Sequence, residues 1–168
     1  MKRLISITLL LMFLFGNAHS QLKVGDKIPS FQLKDQDGQL FDINSVLGKQ
    51  PLVIYFYPKD ETRGCTAEAC SFRDNYEQFT AKGVKVIGIS SDGVTSHKNF
   101  ATHHKLPFTL LSDTSNTVRK QFGVPRKMFI PGRVTYIVNK EGVIIHTFNN
   151  LMDGEKHVAE ALTALEKL

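Results

Sequence analysis

Cys65 and Cys70 are the only two cysteines among 168 residues. The segment Cys65-Thr66-Ala67-Glu68-Ala69-Cys70 sets them at a turn-to-helix junction, behind a loop that contains Pro58 and Gly64. Two thiols at this spacing read first as redox chemistry. From Cys65 onward, Cys65, Ala69, Phe72, Tyr76 and Phe79 form one helical stripe, which predicts a single helix closed by Lys82 and Gly83. Cys65 then lies in the first turn, near unpaired backbone N–H groups and the positive end of the helix dipole, both of which favour thiolate, the reactive form. A helix terminus contributes at most about 2 kcal/mol to that preference, so a fixed cation is needed as well. A more stable thiolate is also a weaker nucleophile, so fast reaction with a peroxide requires donors that stabilise the transition state. The chain must therefore supply an arginine and a hydroxyl.

The spacing has a second consequence. Residues five apart on a helix have Cα atoms roughly 8.7 Å apart, whereas a disulfide needs under about 7 Å. If the two cysteines share a helix when reduced, its first turns must unwind before they can bond. A purely structural disulfide is the weaker reading, because so short a loop gains little in the chain-entropy account.

Pro58, Thr62 and Cys65 match the PxxxTxxC pattern of peroxiredoxins. Three further matches extend the resemblance over most of residues 22–168: Glu68 three positions after the cysteine, Pro107-Phe108-Thr109-Leu110-Leu111-Ser112-Asp113, and Arg133-Val134-Thr135-Tyr136 as the RxT(F/Y) strand. A second cysteine five residues on resembles the bacterioferritin comigratory protein, or PrxQ, group. The resemblance implies a thiol peroxidase that reduces hydrogen peroxide and small organic hydroperoxides without haem, flavin or metal. Cys65 would be the peroxidatic nucleophile, and Cys70 would resolve its sulfenic acid as an intramolecular disulfide. Thr62 would bond the peroxide, Arg133 would stabilise the thiolate and polarise the oxygen, Glu68 would hold Arg133, and Pro58 would shield the sulfur. Arg63 replaces the proline usual in the group, which implies a less rigid, more electropositive loop, and the run between Gly123 and Arg133 also departs from the group's pattern.

The elements that must position these residues read as a compact α/β unit. Residues 31–34 and 39–42 flank Asp37-Gly38 as a hairpin. The uninterrupted apolar run 52–57 has the character of a strand buried on both faces, and 84–90 is a second such strand. Helices are expected over 96–105 and 114–122. A hairpin follows around residues 139–142, then a last helix capped by Asp153 with Val158, Ala161, Leu162 and Leu165 on one face. This order implies a thioredoxin-like fold, a central mixed sheet flanked by helices with an added N-terminal β-hairpin.

Residues 1–20 have the form of a signal peptide: Lys2-Arg3, an apolar run over 4–15, then small residues at 18 and 20. Cleavage before Gln21 would remove two of the 21 basic residues and take the net charge from +5 to +3, leaving one domain over 21–168. The expectation is an exported chain, periplasmic or secreted, without a membrane anchor in its mature form. An oxidising compartment would trap the disulfide, so a thioredoxin-like reductant is expected as partner. With both cysteines in one chain, a monomer suffices.

Two rival functions use the same residues. A thioredoxin-like thiol-disulfide oxidoreductase is disfavoured by the absence of CxxC and by Val134 where thioredoxins keep a proline. A thiol-based copper site would draw on Cys65, Cys70, His97, His103 and His104, but copper-delivery relatives of the fold use a tighter CxxxC. Adjacent histidines on a helix also point apart and read as solvated surface. Arg119-Lys120 and Arg126-Lys127 are isolated pairs read as solvated, short of a nucleic-acid footprint.

Overall fold

Gly38 has φ of 78°, a backbone that favours glycine, and it turns β1 (Gln32–Asp35) back antiparallel onto β2 (Leu40–Asp42). The computed structural model describes residues 20–167, so the expected signal segment lies, but for Ser20, outside the described residues. The apolar run becomes β3 (Leu52–Phe56), buried along its whole length. After the loop come α1 (Arg63–Asp74) and α2 (Tyr76–Ala81), then β4 (Lys85–Ser90), α3 (Val94–His103), β5 (Thr109–Ser112) and α4 (Thr117–Gln121). A small hairpin, β6 (Arg126–Lys127) and β7 (Ile130–Pro131), precedes β8 (Val134–Val138) and β9 (Ile144–Asn149). The last described helix is α5 (Gly154–Leu165), where Asp153 accepts from the Lys156 amide as the expected cap.

The seven-stranded sheet runs β2-β1-β5-β4-β3-β8-β9. Strands β3, β4 and β5 are parallel, while β8 is antiparallel to β3 and β1 antiparallel to β5. This is the expected thioredoxin-like architecture, with the N-terminal hairpin added at one edge. Tyr55, Tyr57, Phe72, Phe79, Phe100 and Phe108 fill the core beneath α1, α3 and α5. Phe31, Ile54, Phe56, Phe122 and Tyr136 fill the opposite face. Among the described residues no helix is long and apolar enough to cross a membrane.

Three elements differ from expectation. The single helix expected from Cys65 is divided at Asn75, whose φ and ψ of −104° and 9° are not helical. Its side chain donates to the Ser71 carbonyl, offering the backbone a local alternative to the helix. The apolar stripe still runs through both pieces, because Phe72 and Phe79 pack on each other at 5.7 Å. Residues 109–112 form a strand too short to show alternation, its buried Leu110 and Leu111 facing opposite cores, and the departing run before Arg133 forms the β6-β7 hairpin.

Candidate active site

Strand pairing brings the expected site residues together. In the ladder of β3 and β8, Phe56 stands opposite Val134. The loop leaving β3 therefore emerges beside Arg133, which immediately precedes β8. Cys65 sits in the first turn of α1 and is 2% exposed. The Arg133 side chain is buried between them and donates from Nη2 to Cys65 Sγ at 3.3 Å. It donates from Nη1 to Glu68 Oε2 and from Nε to the Leu151 carbonyl at 3.2 Å.

Arg133 is raised above its ordinary range: burial lowers it, but the Glu68 carboxylate and the Cys65 sulfur outweigh that. Burial pushes the Glu68 carboxyl up to about 8 against the pull of Arg133. The arrangement is a fixed cation with one nitrogen on the sulfur, held from two other sides.

Thr62 and Pro58 stand at this loop but are less engaged. Thr62 is the N-cap residue of α1 without a side-chain cap bond. Its hydroxyl donates to the Lys59 carbonyl at 3.0 Å. Pro58 is half-buried in the same loop. Arg63 is exposed and, with Gly64, Ala67 and the segment from Leu151 to Glu155, lines a cavity of about 580 Å³ beside the sulfur's helix. Cys70 lies further along α1, half-buried, and both thiols are free. The two cysteines share one helix, the condition under which a disulfide requires unwinding.

Several supporting residues escape sequence reasoning. Arg119, expected as solvated surface, is 4% exposed, and that expectation is corrected. Its guanidinium donates to the Tyr57 and Gly132 carbonyls at 2.7 and 2.9 Å, clamping the residues just before Pro58 and just before Arg133. Burial brings Arg119 down to about 10, opposed by Asp113.

His97, considered in the sequence only as a ligand of the rival copper site, is fully buried and shares Asp60 with Tyr57 and Ser96 at 2.7–2.9 Å. Burial alone would raise Asp60, but the bonds from His97, Tyr57 and Ser96 hold it below its ordinary value. His157 is buried behind Glu68, its Nδ1 2.7 Å from Thr135 Oγ1 and its Nε2 donating to the Asn150 carbonyl at 2.8 Å. Burial pushes it down to about 4. His97 and His157 each lie on the buried stripe of their helix, a periodicity visible in the sequence. His103 and His104 do not point apart as expected; both face Glu61.

Residues 24–147 match the model of the AhpC/TSA family. The chain belongs to that family. It is 50% identical over 151 residues to the chloroplastic peroxiredoxin Q of Populus jackii, covering 89% of this chain and 70% of that protein. With the chloroplastic peroxiredoxin Q of Arabidopsis thaliana it shares 49% over 153 residues, covering 90% and 70%. The solved peroxidoxin BcpB of Mycobacterium tuberculosis superposes with a TM-score of 0.83 at 32% identity, covering 88% of this chain and 99% of that one. A Xanthomonas campestris peroxiredoxin Q gives 0.75 at 30%, covering 82% and 90%.

The chain is thus a thiol peroxidase of the peroxiredoxin Q and bacterioferritin comigratory protein group. The same relatives overturn the expectation of a periplasmic or secreted protein, because they are named as chloroplastic, an organellar location.

Proposed function

We propose that this peroxidase reduces hydrogen peroxide and small organic hydroperoxides with Cys65 as nucleophile and Cys70 as resolver, without a bound cofactor. The Cys65 thiolate attacks the peroxide oxygen, the O–O bond breaks, and the departing alkoxide or hydroxide takes a proton, leaving Cys65 sulfenic acid. Cys70 then attacks that sulfur, releasing water and forming the disulfide. A dithiol reductant of thioredoxin type restores both thiols by exchange. In this reading Arg133 holds the thiolate and polarises the oxygen under attack. Glu68 orients Arg133, Thr62 turns its hydroxyl from Lys59 to the peroxide, and Pro58 keeps bulk water from the sulfur. The cycle needs only one chain, so a monomer is sufficient, and the catalytic domain comprises residues 21–168, after a leader over 1–20.

The observation that carries this reading is the single guanidinium that donates to both Cys65 Sγ and Glu68. The organic substrates gain support from the Xanthomonas campestris bacterioferritin comigratory protein, whose structure is described in connection with alkyl peroxide reduction. The test is rapid mixing of the reduced protein with one equivalent of hydrogen peroxide, following thiol loss in wild type and Cys65→Ser. Fast loss in wild type alone, ending in an intramolecular disulfide, is the expected result. Loss no faster than that of a free thiol would reject it.

A further inference from the structure

Neighbouring residues on a helix diverge by about 100°, yet His103 and His104 converge. His103 ends α3, and His104, its C-cap, has φ and ψ of −97° and 6°. The two rings lie 4.4 Å apart between centroids. Glu61 faces both, with Oε1 3.2 Å from His103 Nδ1 and Oε2 3.0 Å from His104 Nε2. The ligand atoms of all three residues fall within 4.8 Å of one another. Their backbones are already fixed: Asp60, just before Glu61, is buried in the Tyr57 and His97 network, and Arg73 donates to the His104 carbonyl at 2.7 Å.

Two imidazoles and a carboxylate suit a borderline divalent ion. Tetrahedral zinc, with bonds of about 2.0–2.1 Å, separates neighbouring donors by roughly 3.3 Å. Each carboxylate oxygen of Glu61 already lies near that separation from one imidazole, Oε1 at 3.2 Å from His103 and Oε2 at 3.0 Å from His104, and one donor atom from each of the three residues lies within 4.8 Å of the others, so an ion closes the set by small side-chain rotations. His103 and Glu61 are exposed while His104 is mostly covered, so an ion can enter from solvent and keep water in its remaining position. The Arg73 guanidinium is the facing positive group, and it is paired with Asp74 at 2.8 Å.

We propose that Glu61, His103 and His104 form a site for a divalent transition-metal ion, and that the bound ion slows formation of the Cys65–Cys70 disulfide. The second half rests on the roles assigned above to the two cysteines. The segment that must unwind runs from the loop at Glu61 to Cys70. An ion would anchor its first end directly. Its other end touches the same imidazole, because His104 Nδ1 lies 4.0 Å from Cys70 Sγ. With Nε2 on the ion, Nδ1 carries the hydrogen and points it at the sulfur, which takes the accepting place of a metal-bound histidine's outer partner. Both ends of the segment are then tied to one point on α3, which opposes the opening that resolution requires.

Two measurements separate the halves. Zinc chloride is titrated calorimetrically into the full chain carrying Cys65→Ser and Cys70→Ser, so that thiols do not compete. The expected result is uptake of one equivalent, weakened more than about tenfold by adding His103→Ala or Glu61→Gln, since even outer partners of a bound ion are worth about that much. No saturable uptake, or uptake indifferent to both substitutions, overturns the site.

In wild type and His103→Ala, disulfide formation after a peroxide pulse is then timed with and without zinc. Slowing by about fivefold or more in wild type only is expected, within the usual range of coupling between sites. Equal slowing in both, which would place the ion on the thiols, or slowing in neither, overturns the regulatory half. If Cys65 did not react with peroxide at all, the proposed function would fall while the calorimetric result would stand.

Discussion

Phe56 stands opposite Val134 in the antiparallel ladder of β3 and β8, and from this one pairing the closeness of the Cys65 sulfur and the Arg133 guanidinium follows. Each strand contributes what lies just beyond it: Cys65 through the loop after Phe56, Arg133 directly before Val134. Because both strands are buried along their length, a slip in register would turn apolar residues out of the core. Packing therefore fixes the distance between Arg133 and Cys65.

Arg133→Lys should slow the reaction of Cys65 with hydrogen peroxide by about 10²–10³, the loss seen when one preorganised donor is removed from a transition state. A single ammonium cannot reproduce the forked donation to sulfur and carboxylate. Competition against a haem peroxidase of known rate gives the constant, and a loss below about fivefold would remove Arg133 from the mechanism.

Glu68 and His157 should tilt stability with pH in opposite directions. Burial raises Glu68 from 4.5 to about 8, so its contribution is fully present below 4.5 and is lost as pH rises through 8. His157 is lowered from 6.5 to about 4, so its contribution is present above 6.5 and lost as pH falls through 4, at most about 3 kcal/mol. Urea midpoints across pH 4–8 should show a shallower alkaline decline in Glu68→Gln and a shallower acid decline in His157→Gln. Parallel curves for all three proteins would contradict these assignments.

Arg119→Met should unfold about 3 kcal/mol more easily, because the Tyr57 and Gly132 carbonyls each lose a buried donor at about 1–3 kcal/mol. The same variant should react more slowly with peroxide, since both loops that carry the site are released. A stable variant with a wild-type rate would show that the clamp is dispensable.

The cysteine pair was legible in the sequence because its residue type and spacing carry chemistry, and Arg133 and Glu68 were legible through the resemblance to peroxiredoxins. So was β3, whose apolar run admits little else. Arg119, His97 and His157 were not, because a polar residue reads as surface until the chain brings buried acceptors to it. Only the fold brings Tyr57 and Gly132 within reach of one guanidinium. His103 and His104 misled for a related reason: the divergence of adjacent helical residues holds inside a helix, whereas His104 is the residue that ends one. The short strand β5 lacked alternation because both its faces are covered.

Oxidation should melt the start of α1. Cys65 and Cys70 are five residues apart on one helix, roughly 8.7 Å between Cα atoms, beyond the approximately 7 Å that a disulfide spans. The bond can therefore form only after the backbone hydrogen bonds between them open. Gly154 sharpens the expectation: a Cβ there would meet the Gly64 carbonyl oxygen at 2.7 Å and Glu68 Cβ at 2.8 Å, so α5 lies directly against the segment that must move. Unwinding must loosen that contact and, through Glu68, the hold on Arg133. Hydrogen exchange compared between the reduced and disulfide forms should show protection lost over residues 63–70 and reduced at the N-terminus of α5, with α3 unchanged. In Cys70→Ser, peroxide should leave the exchange pattern as in the reduced protein, because the sulfenic acid alone places no strain on the helix. Retained protection over 63–70 in a protein shown by mass to hold the disulfide would mean that the helix accommodates the bond without opening.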